Sequence, residues 1–232
     1  MLLACWSPKG GSGTSVFVAA CALSAARDGM VRIADLGGDQ PAILGLTEDP
    51  PTGLREWLAV GVTAPVDALG RLAVPAGPQL RLLPAGSARV DGLDPEAGAA
   101  LAVALREETR LTIVDAATAD TPALEAVVDV ADASVVVVRG CYLALRRAVR
   151  RPEVARAAGA VLVEEAGRAL GAREVSDVLG IPVLAKVPVR SSTARAIDAG
   201  VLAARLPESL MRPARTLLDR IGASGGREGR AA

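Results

Sequence analysis

The stretch PKGGSGTS, residues 8–15, constrains this chain more than any other. It follows the run MLLACWS, which has the continuous hydrophobicity of a buried parallel strand. It precedes TSVFVAACALSAARDG, which is small, apolar and helix-length, with Asp28-Gly29 as a stop signal. MVRIADL then reads as a second strand, ending at Asp35. Strand, glycine loop, helix and strand form a βαβ unit whose crossover is expected to be right-handed. Backbone N–H groups of residues 10–15, with the helix N-terminus behind them, make a concave donor array suited to phosphate. The usual pattern G-x-x-x-x-G-K-[ST] places a lysine after the last glycine to reach the outer phosphates. Thr14 stands in that place.

The remaining chain continues the alternation. LGGDQPAILGLTEDPPTG reads as a turn-rich loop, LREWLAVG and VDALGRLAV as short helices, and LRLLPAG as a strand. EAGAALAVALREE is a helix, and LTIVDAA a strand ending at Asp115. PALEAVVDVA is helical and SVVVVRG a buried strand, followed by one helix over YLALRRAVRRPEVARAAG. GAVLVEE, REVSDVLG and IPVLAKVPV give strand, helix and strand, and SLMRPARTLLDRI closes the fold as a helix. The expected class is α/β, a three-layer, doubly wound, mostly parallel sheet. Residues 1–222 form one domain in this reading, and residues 223–232 a disordered polar tail.

The formal net charge is +0 over 232 residues, so a generic polyanion binder is not expected. With no histidine, His-based triads and His metal sites are excluded. Cys5, Cys21 and Cys141 are widely spaced and read as reduced thiols of a cytosolic protein. No uninterrupted apolar run approaches the ~20 residues that span a bilayer, and no signal peptide precedes the glycine loop.

Ligands of such sheets sit beyond the carboxyl ends of the strands. The glycine loop, Asp35 and Asp115 are therefore expected to face one crevice. Ser15 is placed to offer its hydroxyl to Mg²⁺, and Asp115 to hold one of that ion's waters. Asp35 would do the same or orient an attacking water. Each feature also has a plainer reading, since a strand-end aspartate often only caps the next helix.

Lys9-Gly10-Gly11-Ser12-Gly13 resembles the deviant loop K-G-G-x-G-K-[ST] of the ParA/MinD family. The resemblance continues through IADL, like that family's second-strand acidic motif, and TIVDAA, like its Walker B. DVADASVVVV and the segment from GIPVLAKVPV to LPES fit its late strands and closing helix, so nearly the whole chain is covered. The resemblance implies a P-loop NTPase fold binding ATP and Mg²⁺. It places Lys9, Gly10, Gly11, Ser12, Gly13, Thr14, Ser15 and Pro188 at the nucleotide, and Ser15 and Asp115 at the metal. Asp35 and Asp39 are then the catalytic candidates. In that family the early lysine reaches across a nucleotide-sandwich homodimer, which is the role implied for Lys9. The pieces GGDQPAILGL, GLREWL and LRLLPAG look most like the TadZ/CpaE branch, whose members help localise pilus or Tad secretion machinery. Many of that branch carry a receiver-like domain ahead of the first strand, so this chain would be the ATPase-like part alone.

The departures from the family bear on activity. Thr14 removes the loop lysine, and Gly37 stands where a second carboxylate is usual; Asp39 lies nearby on the loop. Glu164-Glu165 ends the strand that often carries an adenine-contacting asparagine. Phosphoryl transfer rests on positioning and charge stabilisation, so hydrolysis is expected to be slow or lost while binding survives. A nucleotide-free interaction scaffold is the first alternative. DNA-associated partitioning through Arg139, Arg146, Arg147, Arg150, Arg151 and Arg156 is the second, weighed against a solvated helix face. Direct membrane binding is disfavoured because SLMRPARTLLDRI reads as closing the fold and the tail after it lacks an apolar face. Trp57 reads as packing a helix onto the sheet rather than as an exposed anchor.

Overall fold

The structure is a computed structural model, and it describes residues 1–89, 92–107 and 110–222. The tail expected at 223–232 lies outside the described residues. The strands are β1 (Leu2–Trp6), β2 (Val31–Asp35), β3 (Val74–Gly77), β4 (Leu80–Leu83), β5 (Leu111–Asp115), β6 (Ala133–Arg139), β7 (Gly159–Glu164) and β8 (Val183–Pro188). Helices α1 (Thr14–Ala25), α2 (Gln40–Leu44), α3 (Leu54–Val60), α4 (Asp67–Leu72), α5 (Pro95–Arg106) and α6 (Pro122–Val130) occupy the first part of the chain. They are followed by α7 (Tyr142–Ala148), α8 (Glu153–Arg156), α9 (Ala172–Leu179), α10 (Ser191–Asp198) and α11 (Glu208–Arg220).

The sheet runs in the order β3-β4-β2-β5-β1-β6-β7-β8. Every neighbouring pair is parallel except β3 with β4. Strands β1, β2 and β5 are buried on both faces, which is why β1 and β5 read as largely apolar runs, while β2 buries Arg32 among its apolar residues. One face packs against α3, α4, α5, α6, α7 and α9 through residues such as Trp6, Leu54, Leu101, Leu124 and Leu145. The other packs against α1, α2 and α11 through Phe17, Ile43, Leu210 and Leu217. Each such large side chain contributes about 1.5–3 kcal/mol when fully buried.

Local signals place the two helices that cross most closely. Asp94 accepts the N–H of Glu96 ahead of Pro95, and Thr121 accepts that of Leu124 ahead of Pro122. Their contact requires Gly98, since an added Cβ there would lie 1.9 Å from the Ala123 carbonyl oxygen.

Four elements differ from the sequence reading. The loop expected at 36–53 contains α2, a five-residue helix closed by Gly45 at φ 76°. The helix expected over 66–74 stops at Leu72, and Val74 opens β3. That edge strand tolerates Pro75 because an edge position does not need the missing N–H. The single helix expected after β6 is two, because Pro152 offers no N–H and disfavours helical geometry in Arg151. Helix α10, between β8 and α11, was not marked by any run of residues in the sequence reading. Trp57 is buried, and its indole N–H donates to the Pro65 carbonyl at 3.0 Å, so it packs rather than protrudes. Among the described residues no helix is long and apolar enough to cross a membrane.

Candidate phosphate-binding site

Strands β2, β5 and β1 are adjacent, so Asp35, Asp115 and the glycine loop leave the sheet side by side. Asp35 and Asp115 are direct register partners. Gly11 at φ 72° and Gly13 at φ 90° take the left-handed conformation that turns the loop back over the start of α1. The Ser7 and Ser12 hydroxyls both donate to the Lys9 carbonyl at 2.9 Å, holding the loop folded. Above it lies a cavity of about 230 Å³ lined by residues 10–16 together with Ser7, Asp39, Ile43, Ala117 and Thr118.

The cavity's charge is unusual for a phosphate site. Among its lining residues there is no lysine or arginine, and Asp39 is the one ionisable group. Lys9 is half-buried, and its Nζ donates to the Gly10 carbonyl at 3.2 Å. Thr14, in the place of the usual lysine, lines the cavity with a buried hydroxyl that has no partner.

Asp115 accepts the Ala117 N–H at 3.2 Å, the Gln40 side-chain amide at 2.8 Å and the Ser15 hydroxyl. Gln40 also donates to the Ser15 carbonyl at 2.9 Å, so it ties α2 to both the loop and β5. Its amide oxygen is buried and unpartnered. The residues fit a magnesium–phosphate ligand. The orphan Thr14 hydroxyl can donate to a phosphate oxygen, and the orphan Gln40 oxygen can accept from a metal-bound water. Among the described residues no cluster of three or more Cys, Asp or Glu side chains could hold a metal by itself. Mg²⁺ would therefore depend on Ser15, Asp115, phosphate oxygens and water.

Asp35 and Asp115 are both fully buried and neither lines the cavity; Asp115 reaches it only through Ser15, which does. The oxygens of Asp35 accept the N–H groups of Gly38 at 2.7 Å and Gln40 at 3.1 Å, so it anchors the loop leading to α2. Burial, and next the charge of Asp115, raise its carboxyl to about 7. Burial also raises Asp115, opposed by its hydrogen bonds from Gln40, Ser15 and Ala117. In the unfolded chain Asp35 titrates near ~3.9. The folded state thus holds this proton more tightly, and stability is lost as pH rises from about 4 towards about 7. Chemical denaturation between these values should show a steeper decline for the wild type than for Asp35→Asn. Equal slopes would contradict this assignment.

Gly37 sits where an added Cβ would meet Ala117 Cβ at 3.4 Å and Asp115 Cγ at 3.6 Å. A second carboxylate there would crowd an already buried acidic pair. Instead Arg55 donates to the carbonyls of Leu36 and Gly37 at 3.1 and 2.9 Å. Neither Gln40 nor Arg55 stood out as a site residue in the sequence; the only cue for Gln40 was its place between Asp39 and Pro41. Pro188 ends β8 and lines two further cavities, of about 320 and 170 Å³. Gly13 lines both the smaller of these and the phosphate cavity, so the two spaces meet at the loop. Glu164 and Glu165 line the larger; Glu165 pairs with Arg139 and Arg168, and Glu164 with Lys186 at 3.7 Å. Cys5 and Cys21 are buried, and burial raises both thiols, which leaves them unreactive.

A glycine loop and helix N-terminus beside two strand-end aspartates, on this sheet order, define a P-loop α/β fold. The fold is that of the ParA/MinD ATPases. The septum site-determining protein MinD of Pyrococcus horikoshii, complexed with Mg-ADP, superposes with TM-score 0.79 at 16% identity over 99% of each chain. The ParA family ATPase of Chlorobium tepidum gives 0.75 at 18% over 96% of each. A chain of the MinC:MinD cell division protein complex of Aquifex aeolicus gives 0.74 at 20%, over 94% of this chain and 95% of that one. No protein-family profile and no curated protein matches the sequence.

Proposed function

We propose that this chain is a ParA/MinD-family protein that binds ATP and Mg²⁺ weakly, hydrolyses it slowly or not at all, and organises the position of partner proteins in the cytoplasm. The observation that carries this reading is the intact backbone cradle with Ser15, Gln40 and Asp115 behind it, and an orphan Thr14 hydroxyl where the cation belongs. Ser15 and Asp115 hold the metal, Asp39 is the cavity carboxylate able to orient water, and Asp35 positions the loop that carries it. Pro188 bounds the space for the base.

Lys9 is not among the residues lining its own cavity, and the family resemblance assigns it to the phosphates of a second copy. Wild-type protein should therefore shift from monomer towards dimer in light scattering when ATP and Mg²⁺ are added, and Lys9→Ala should not. A dimer of equal population in both proteins would remove Lys9 from that role. Two of the similar structures carry names of positioning proteins, septum site-determining and plasmid partition protein. The narrower assignment to pilus or Tad secretion machinery rests on the TadZ/CpaE-like segments of the sequence alone. One observation favours the alternative of a nucleotide-free scaffold, namely that no cationic side chain lines the cavity.

A further inference from the structure

The arginine-rich segment after β6 divides into two sets. Arg139 pairs with Glu165, Arg156 with Asp129 at 2.6 Å, and Arg151 with Glu153 at 3.0 Å and Glu125 at 3.3 Å. Arg151 also donates to the Thr118 and Ala119 carbonyls and lies 5.1 Å from the Trp6 ring centroid. Those three are structural. Arg146, Arg147 and Arg150 are exposed and make no ion pair among the described residues.

The free set is not surrounded by polar residues. Helix α7 turns Ala144, Leu145 and Ala148 into the core. Tyr142 and Arg146 stand at i, i+4 on the opposite side, with Leu143 and Arg147 at i, i+4 beside them, and Val149 and Arg150 follow in the turn that ends the helix. Tyr142 is 72% exposed, Leu143 50% and Val149, on the flank, 53%. Tyr142 is the sole tyrosine of a chain that is 2% aromatic, and it is spent on the surface. Uncovered aromatic and aliphatic groups interleaved with unpaired arginines have the composition of an interface core.

We propose that this face of α7 docks an acidic amphipathic segment of a partner protein. Its leucine-like side chains would cover Tyr142, Leu143 and Val149, and its carboxylates would pair with Arg146, Arg147 and Arg150. Charge complementarity selects the acid. The apolar half disfavours a nucleic-acid backbone. A seven-residue helix is too short to lie stably in a bilayer interface. This surface does not depend on nucleotide binding.

The test uses the full chain and three probes: a fluorescent helical peptide of repeated Leu-Glu-Glu-Leu units, a duplex DNA of equal charge, and phosphatidylglycerol-containing vesicles. The peptide is expected to bind most tightly. Replacing Arg146, Arg147 and Arg150 together by alanine, or Tyr142 and Leu143 together by serine, should each weaken it about tenfold. All five residues are exposed, so the variants should keep the wild-type melting temperature. Tighter binding of DNA or vesicles, no binding of the peptide, or peptide affinity unchanged by the serine pair would overturn the proposal.

Discussion

Thr14→Lys is expected to tighten MgATP binding by about ten- to a hundredfold. The cavity presently offers backbone donors, the hydroxyl-bearing residues Ser7, Ser12, Thr14, Ser15 and Thr118, and one carboxylate, but no cation. A hydrogen bond to a charged group contributes about 1.5–3 kcal/mol, and each 1.4 kcal/mol is a factor of about ten in affinity. The substitution also removes a buried hydroxyl that has no partner. Thr14 is among the residues lining the cavity, so a lysine at this position is placed to reach into it. Titration of both proteins under one buffer condition reads the effect directly. A lysine variant that binds no better than the wild type would mean that the loop no longer receives a triphosphate.

Gly98→Val should cost the fold about 3 kcal/mol, which lowers the melting temperature by roughly 6–12 °C in a domain of this size. The reason is the approach of α5 to α6. Even a Cβ at Gly98 would stand 1.9 Å from the Ala123 carbonyl oxygen, and that partner is backbone that cannot rotate away. The two helices must separate, and Leu101, Leu105, Leu124 and Val127 would lose close packing. Differential scanning of the wild type and the variant measures this. Gly70→Val, where an added Cβ meets nothing within 4 Å, is the matched control.

Much of this architecture was legible because its strands are buried on both faces. MLLACWS, LTIVDAA and SVVVVRG read as unbroken apolar runs for that reason, and Asp115 was visible as the first charge after one of them. The roles of the site's acids were harder to read. Asp35 looked like Asp115 in sequence, but the β2–β5 register sets the two side by side, and the backbone of residues 38–40 then claims Asp35. Gln40 was hidden because α2 is only five residues long and is held by contacts to Ser15 and Asp115 rather than by its own pattern. The break after α7 was signalled by Pro152 and overridden in the reading by the run of helix-favouring residues around it. No local pattern shows which arginines find carboxylates, since Glu125, Asp129 and Glu165 come from other elements.

Under the proposed function the residue 8–15 loop still receives a magnesium nucleotide. The most direct measurement of this is calorimetric titration of the wild-type protein with a non-hydrolysable ATP analogue and Mg²⁺. The account predicts saturable heat with a millimolar or tighter dissociation constant. No heat and no thermal shift at several millimolar analogue would contradict it, leaving PKGGSGTS as a structural turn beneath a protein-binding surface.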